Sequence, residues 1–414
     1  MRLIARIRDE LSFLKGNILI LLISWVLISF VKEMPDTYYS LYVLGLGATP
    51  LILGLIGSVA SLIYSPLQFM GGYIADRYGR RNLIVYMTYL LSFTYLLYAI
   101  APDWKVILIA TVLSEMASLY KPALSAITAD SLPPEKRGLG YSIITLIIDV
   151  VAIPSPLIAG AICTRLGLVK GMRFIYLITT LGFLVAACVR LRLRETLMTN
   201  HQTARFKMAR VVKGAPRAFL ESLNVLRRVP PSVTYLIASS IIVNFAYSPL
   251  YLYLVVYAKE VLGVKELLWG ALTSWYKLVA ILSLIPLGKL TDKVERKAVL
   301  SAAGFLIPIG LLLFIKGGLM ALFLSYALLG VGISGIRIAH NSLRADLIPR
   351  GERGKLIGLE MFAVSLAMAL GDIIGGALYE KISPSSPFIF SACTIFLAYL
   401  LVLLLVEEPK SRQV

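Results

Sequence analysis

Residues 72–81 read Gly-Tyr-Ile-Ala-Asp-Arg-Tyr-Gly-Arg-Arg, and residues 288–297 read Gly-Lys-Leu-Thr-Asp-Lys-Val-Glu-Arg-Lys. Gly72 and Gly288, Asp76 and Asp292, and Arg80 and Arg296 are each 216 positions apart. The same offset relates Ala129-Asp130-Ser-Leu-Pro133-Pro-Glu-Lys-Arg137-Gly138 to Ala345-Asp346-Leu-Ile-Pro349-Arg-Gly-Glu-Arg353-Gly354, and pairs Gly47 with Gly263, Gly54 with Gly270 and Gly160 with Gly376. One offset held over this distance without a gap marks an internal duplication, which constrains the fold before any single motif does.

The surroundings of the duplicated loops are apolar. Hydrophobic residues make up 58% of the 414-residue chain and charged residues 15%, against roughly 45–50% and about 25% in soluble globular proteins. So little charge cannot cover a soluble protein of this length, which excludes a soluble enzyme, a disordered regulator and a disulfide scaffold. Apolar runs fall at about 17–46, 50–74, 82–101, 105–129, 139–163, 172–193, 233–261, 267–288, 298–316, 319–345, 355–380 and 385–406. Each is long enough to cross a ~30 Å hydrocarbon core, and at this apolarity only helices satisfy their own backbone. The expected fold is an all-α polytopic membrane protein with twelve transmembrane helices. Six spans return the chain to its starting side, so the copies form two parallel pseudo-symmetric six-helix bundles, residues 1–193 and 233–414, joined by a linker at 194–232.

The formal net charge of +18 follows from topology. With the N-terminus inside, 28 of the 41 Lys and Arg residues lie on one side and 8 on the other. The positive-inside rule then places both termini in the cytoplasm of a cell-membrane protein, and no nucleic acid is needed to explain the basicity. The linker interleaves Arg205, Lys207, Arg210, Lys213, Arg217, Arg227 and Arg228 with Phe206, Val211, Val212, Phe219, Leu220 and Leu223. That pattern suits an amphipathic helix on anionic headgroups, or a solvated tether. Cys163, Cys188 and Cys393 show no paired spacing, and His201 and His340 are the only histidines. Neither a metal site nor a resident cofactor is expected, nor is catalysis by a membrane-embedded enzyme.

Ionisable residues inside spans are costly and usually face a cavity or one another. Span 1 carries Lys32, Glu33 and Asp36 around Pro35; Glu33 and Asp36 share a face, while Lys32 and Asp36 are spaced to pair. A self-contained Lys32–Asp36 pair and a coupling site are both open readings. Glu115 and Lys121 fall in span 4, Asp149 in span 5, Lys277 in span 8, Arg337, His340 and Arg344 in span 10, and Glu360 and Asp372 in span 11. Lys121 and Arg337 are equivalent under the offset, so either they hold an anionic group together or each neutralises a carboxylate in its own half. Tyr38, Tyr39, Tyr64, Gln68, Tyr120, Asn244, Tyr247, Tyr251, Trp275, Tyr276 and Asn341 would line an amphipathic cavity, although Tyr38, Tyr39 and Tyr251, near span ends, better suit an interfacial aromatic belt. Glu33, Asp36, Glu115 and Asp149 are the carboxylates that could carry a coupling proton.

The loop Gly72-x-x-x-Asp76-Arg77-x-Gly79-Arg80-Arg81 resembles the signature between helices 2 and 3 of the major facilitator superfamily, and the resemblance extends over the twelve spans, the central loop and the degraded second copy. It implies alternating access by rocking of two bundles about a midplane site. It also implies a cytoplasmic gate in which Asp76 meets the N-terminus of helix 11, built from Gly72, Asp76, Arg77, Gly79, Arg80, Arg81, Asp130 and Arg137 and, in the second copy, Gly288, Asp292, Arg296, Asp346 and Arg353. Glu295 stands where the first copy has Gly79, which suggests an asymmetric latch. Ser155-Pro156-Leu-Ile-Ala159-Gly160 keeps part of the helix 5 pattern of the family's antiporters, while the arginine-bearing helix 4 motif of its proton-driven drug exporters is missing.

These readings favour a monomeric secondary transporter for a small solute, driven by a proton gradient and exporting amphipathic compounds. Uptake or facilitated passage of an anionic metabolite, supported by Lys121, Lys277, Arg337 and Arg344, is the alternative. A non-transporting sensor on the same fold is a third.

Overall fold

The computed structural model describes residues 13–197, 221, 224–349 and 351–408, with only the main chain described at 68, 69, 72, 73 and 76–78. Twelve of the described helices are long and apolar enough to cross a membrane. Spans 1 to 6 are Asn17–Asp36, Pro50–Leu67, Arg80–Ile100, Trp104–Ser131, Pro134–Leu166 and Leu168–Arg190. Spans 7 to 12 are Pro231–Glu260, Glu266–Lys293, Arg296–Lys316, Leu319–Leu347, Arg353–Lys381 and Ser386–Leu405. The described residues contain no strand. Most of the predicted linker, including its basic residues from Arg205 to Arg217, lies outside the described residues.

Proline decides where the spans depart from plain cylinders. The first apolar run divides into Asn17–Asp36 and a second helix, Tyr39–Gly45. Pro35 has no N–H to offer the Val31 carbonyl, and the Tyr38 N–H turns back to the Pro35 carbonyl at 3.1 Å. The freed Val31 oxygen accepts a hydrogen bond from the Thr179 hydroxyl of span 6 at 2.9 Å. Lys32, Glu33 and Asp36 thus sit in the last turns before a break. That break also carries Tyr38 into the bundle, fully enclosed, with its hydroxyl toward the Pro156 carbonyl. The expectation of an interfacial Tyr38 is corrected: the chain turn at Thr37, not the distance from the span end, sets its direction.

Span 4 is interrupted too, by a 3-10 turn at Ser118–Tyr120 ahead of Pro122. Tighter 3-10 winding changes the angular relation between Glu115, before the turn, and Lys121, after it. Span 5 breaks between Ala152 and Ser155, and Pro156 occupies the start of its second helix, where a missing N–H costs nothing.

Two compact units emerge from the packing. The first comprises the described parts of Met1–Leu46 and Pro66–Ala204; the second comprises Gly47–Ser65 with the described parts of Arg205–Val414. They differ from the predicted bundles 1–193 and 233–414 in the segment Gly47–Ser65. Stacked tyrosines centre the first unit: Tyr98 and Tyr176 lie 5.0 Å apart, and Tyr95 meets Phe183 at 4.7 Å. In the second, Tyr257 packs on Phe388 at 5.1 Å and Trp269 on Tyr326 at 5.5 Å.

Span 11 packs on span 7 through small residues. A Cβ on Gly371 would lie 2.1 Å from the Phe245 carbonyl oxygen, and one on Gly375 would lie 2.5 Å from Pro249 Cβ. Pro249 cannot donate to Phe245, so the exposed carbonyl and the glycine face allow two backbones to approach closely. The Ser248 hydroxyl donates to the Met368 carbonyl at 3.0 Å across the same seam.

Candidate functional site

In the first unit, Lys32 and Asp36 form an ion pair at 2.5 Å. Glu115 lies within electrostatic reach of Lys121, Lys32 and Asp36. The structure therefore brings four of the predicted residues, two cations and two carboxylates, into one field between spans 1 and 4. Thr111, one turn before Glu115, ties this field to the aromatic core: Tyr98 and Tyr39 hydroxyls lie 2.8 and 3.3 Å from its Oγ1. Tyr39 thereby joins the site rather than an interfacial belt. Asp149 is half-buried on span 5, and Glu33 completes the carboxylates of span 1.

Arg190, at the end of span 6, was not foreseen. Its guanidinium is wholly buried and donates to the hydroxyls of Ser24 at 3.1 Å and Thr88 at 2.8 Å, with its carbon 5.5 Å from the centre of the Tyr120 ring. Its place beside the cationic linker makes it read in sequence as a positive-inside anchor; only the fold turns it inward.

The second unit holds a cavity of about 190 Å³ lined by Ser239, Ser240, Val243, Asn244, Ile336, Arg337, His340, Asn341 and Tyr399. Four predicted residues, Asn244, Arg337, His340 and Asn341, meet there. Behind them Glu360 of span 11, 4% exposed, accepts from Arg344 at 3.3 Å and lies 3.4 Å from the His340 ring. Asn341 accepts from Arg344 at 3.0 Å, and the Asn244 amide donates to the Ser240 carbonyl at 2.8 Å. Other predicted residues lie elsewhere. The Trp275 indole donates to the Phe323 carbonyl at 3.0 Å and is 37% exposed, away from the cavity. Tyr247 and Lys277 are half-buried outside the cavity lining, and Tyr64 belongs to the Gly47–Ser65 segment. Asp372 is buried against that segment, where a Cβ on Gly57 would lie 2.8 Å from its Oδ2.

The loops expected at the gate repeat in detail. Arg80 pairs with Asp130, and Arg296 pairs with Asp346. The Arg137 guanidinium donates to the Ala129 carbonyl at 3.1 Å, and its counterpart Arg353 donates to the Ala345 carbonyl. The main-chain N–H of Arg81 donates to Glu195 at 2.9 Å, and that of Lys297 donates to Glu408 at 2.5 Å. Each carboxylate, just past the last span of its half, thus neutralises the positive end of span 3 or span 9. Gly79 adopts φ 90°, whereas Glu295 adopts φ −56°. The departure at Glu295 is therefore a different backbone turn that keeps the Arg–Asp pair. The structure places Asp292 at the end of span 8 and leaves Gly288 with open space around a hypothetical Cβ. Gly72, Asp76, Arg77 and Gln68 lie in the helix Pro50–Tyr78, and their side chains are outside the described residues.

The model of the Major Facilitator Superfamily matches residues 16–275 and 262–414. The chain belongs to the major facilitator superfamily. It is 26% identical over 352 residues to the multidrug resistance protein MdtH of Cronobacter sakazakii, covering 82% of this chain and 80% of that one. It is also 26% identical over 366 residues to a multidrug resistance efflux pump PmrA homologue of Lactococcus lactis, covering 86% and 85% of the two chains. Among solved structures, a POT family transporter in complex with 5-aminolevulinic acid superposes with a TM-score of 0.74 at 14% identity, over 93% of this chain and 94% of that one. That likeness concerns the fold. Membership makes this major facilitator protein a multi-pass membrane transporter of a small molecule, and not an enzyme.

Proposed function

We propose that this transporter exports amphipathic solutes in exchange for protons, as a monomer in the cell membrane with both termini cytoplasmic. The carrying observation is the four-charge field of Lys32, Asp36, Glu115 and Lys121 between spans 1 and 4. With both carboxylates ionised the four charges cancel. Adding a proton to Asp36 or Glu115 leaves a net positive charge among these side chains, so protonation changes the relative stability of alternative packings. The tyrosines around Thr111 supply an aromatic wall beside that field. The two relatives named for multidrug resistance support export as the direction. The repeated Arg–Asp loops serve as the scaffold of the cytoplasmic gate in this reading.

The test uses purified protein in liposomes equilibrated with an amphipathic dye at equal concentration inside and outside. An alkaline lumen facing an acidic exterior is expected to drive dye outward against its gradient, and an ionophore that collapses the proton gradient is expected to stop it. Inward movement of the solute with protons would establish symport instead, and binding without exchange would establish a sensor.

A further inference from the structure

We propose that the cavity of the second unit is a subsite for the anionic end of the solute, a carboxylate or similar oxyanion, with Arg337 as its counterion. Arg337 stands near the middle of span 10, lines the cavity and makes no hydrogen bond or ion pair with any described residue. A mid-span guanidinium facing hydrocarbon would be costly, so its place on a polar cavity wall is the stable one. The charges one and two turns further on do not compete for this role. Arg344 is already engaged by Glu360 and Asn341. His340 has its Nε2 buried without a hydrogen-bond partner and 3.4 Å from Glu360, which leaves the region around Arg337 with the uncompensated positive charge.

The remaining lining sets the shape of the ligand. Asn341 commits its Oδ1 to Arg344, which leaves its amide N–H groups as donors, and Ser240 adds a hydroxyl, while the Ser239 hydroxyl already donates to the Leu236 carbonyl at 2.8 Å. Val243, Ile336 and the Tyr399 ring supply apolar surface beside these donors. A volume of about 190 Å³ is small beside the roughly 300–1,000 Å³ of sites that enclose a whole drug-sized molecule. The cavity suits a charged end with a few carbons, the rest of the molecule lying outside it. Of the two roles open to the equivalent cations, each half takes a different one: Lys121 lies within electrostatic reach of Glu115, and Arg337 is left for a ligand. This inference deepens the export reading by naming amphipathic anions as the solute class, and its test is a binding measurement that does not depend on transport.

Calorimetric titration of the purified full chain with benzoate and with benzamide, its uncharged analogue, isolates the charge. Benzoate is expected to bind at least about tenfold more tightly, the scale of a hydrogen bond to a charged group. Arg337→Gln is expected to reduce benzoate to the level of benzamide, and Ser240→Leu, which fills the cavity without touching charge, to weaken both. Lys316→Gln, at the end of span 9, is expected to leave both unchanged. Equal affinity for the two ligands, or a benzoate preference that survives in Arg337→Gln, overturns the proposal. Should Arg337→Gln fail to fold, Arg337→Lys with the preference retained and Ser240→Leu with both ligands weakened carry the same test; an unaltered titration in Ser240→Leu overturns the proposal. Benzoate preference without export in liposomes would sink the export reading alone, and export of neutral amphipaths without benzoate preference would sink the subsite alone.

Discussion

Gly371→Ala, the smallest change available, is expected to remove about 3 kcal/mol or more of stability and to cut the yield of monodisperse protein sharply. The added methyl would lie 2.1 Å from the Phe245 carbonyl oxygen and 2.6 Å from the Ser248 hydroxyl. A flexible side chain could swing aside, but a carbonyl in a helix cannot, so spans 7 and 11 would have to separate. Separation loses the Ser248–Met368 hydrogen bond and the contact of Gly375 with Pro249. In lipid such close packing, not exclusion of water, is what holds helices together. Gly354→Ala at the start of the same span has nothing within 4 Å of the new methyl. It is expected to be neutral or slightly stabilising, because alanine favours the helix. Thermal unfolding of the two variants in one detergent checks the contrast.

Glu360→Leu is expected to destabilise the second unit by about 3 kcal/mol, the scale for removing one member of a buried ion pair. The carboxylate is almost fully enclosed and serves two cations, Arg344 directly and His340 when that ring is protonated. Its loss leaves the Arg344 guanidinium, 24% exposed, with Asn341 as its remaining side-chain partner among the described residues. Glu360→Leu combined with Arg344→Leu is expected to recover most of the loss, since both desolvated charges are then gone. Thermal midpoints of the single and double variants provide the measurement; a double variant no more stable than Glu360→Leu would show that packing, not charge, is at stake.

What the sequence disclosed follows the range of the interactions. The twelve spans are legible because crossing hydrocarbon demands a continuous apolar run. The Arg80–Asp130 and Arg296–Asp346 pairs were approachable because the duplication shows each loop twice at one offset. The break in span 1 was not, although Pro35 was in plain view. A proline can kink a span or be absorbed, and the outcome here depends on Thr179, far along the chain, taking the freed carbonyl. Glu195 and Glu408 escaped notice because they lie beyond the apolar runs and act on main-chain N–H groups. Glu360 was visible as a charge inside a span, yet its partners on span 10 depend on how two helices are rotated about their axes. For the same reason Asn244, Arg337, His340 and Asn341 could be nominated from sequence, while Trp275, equally plausible on composition, points to the Phe323 carbonyl.

The charge field of spans 1 and 4 is the centre of the account, and counting protons per solute tests it most directly. Liposomes carrying an internal pH indicator and an amphipathic dye report both fluxes at once, for the parent protein, Asp36→Asn and Glu115→Gln. The parent is expected to move protons against solute in fixed proportion. At least one of the two variants is expected still to exchange dye across the membrane, with proton movement reduced to the level of empty liposomes. An unaltered ratio of protons to dye in both variants would contradict this expectation.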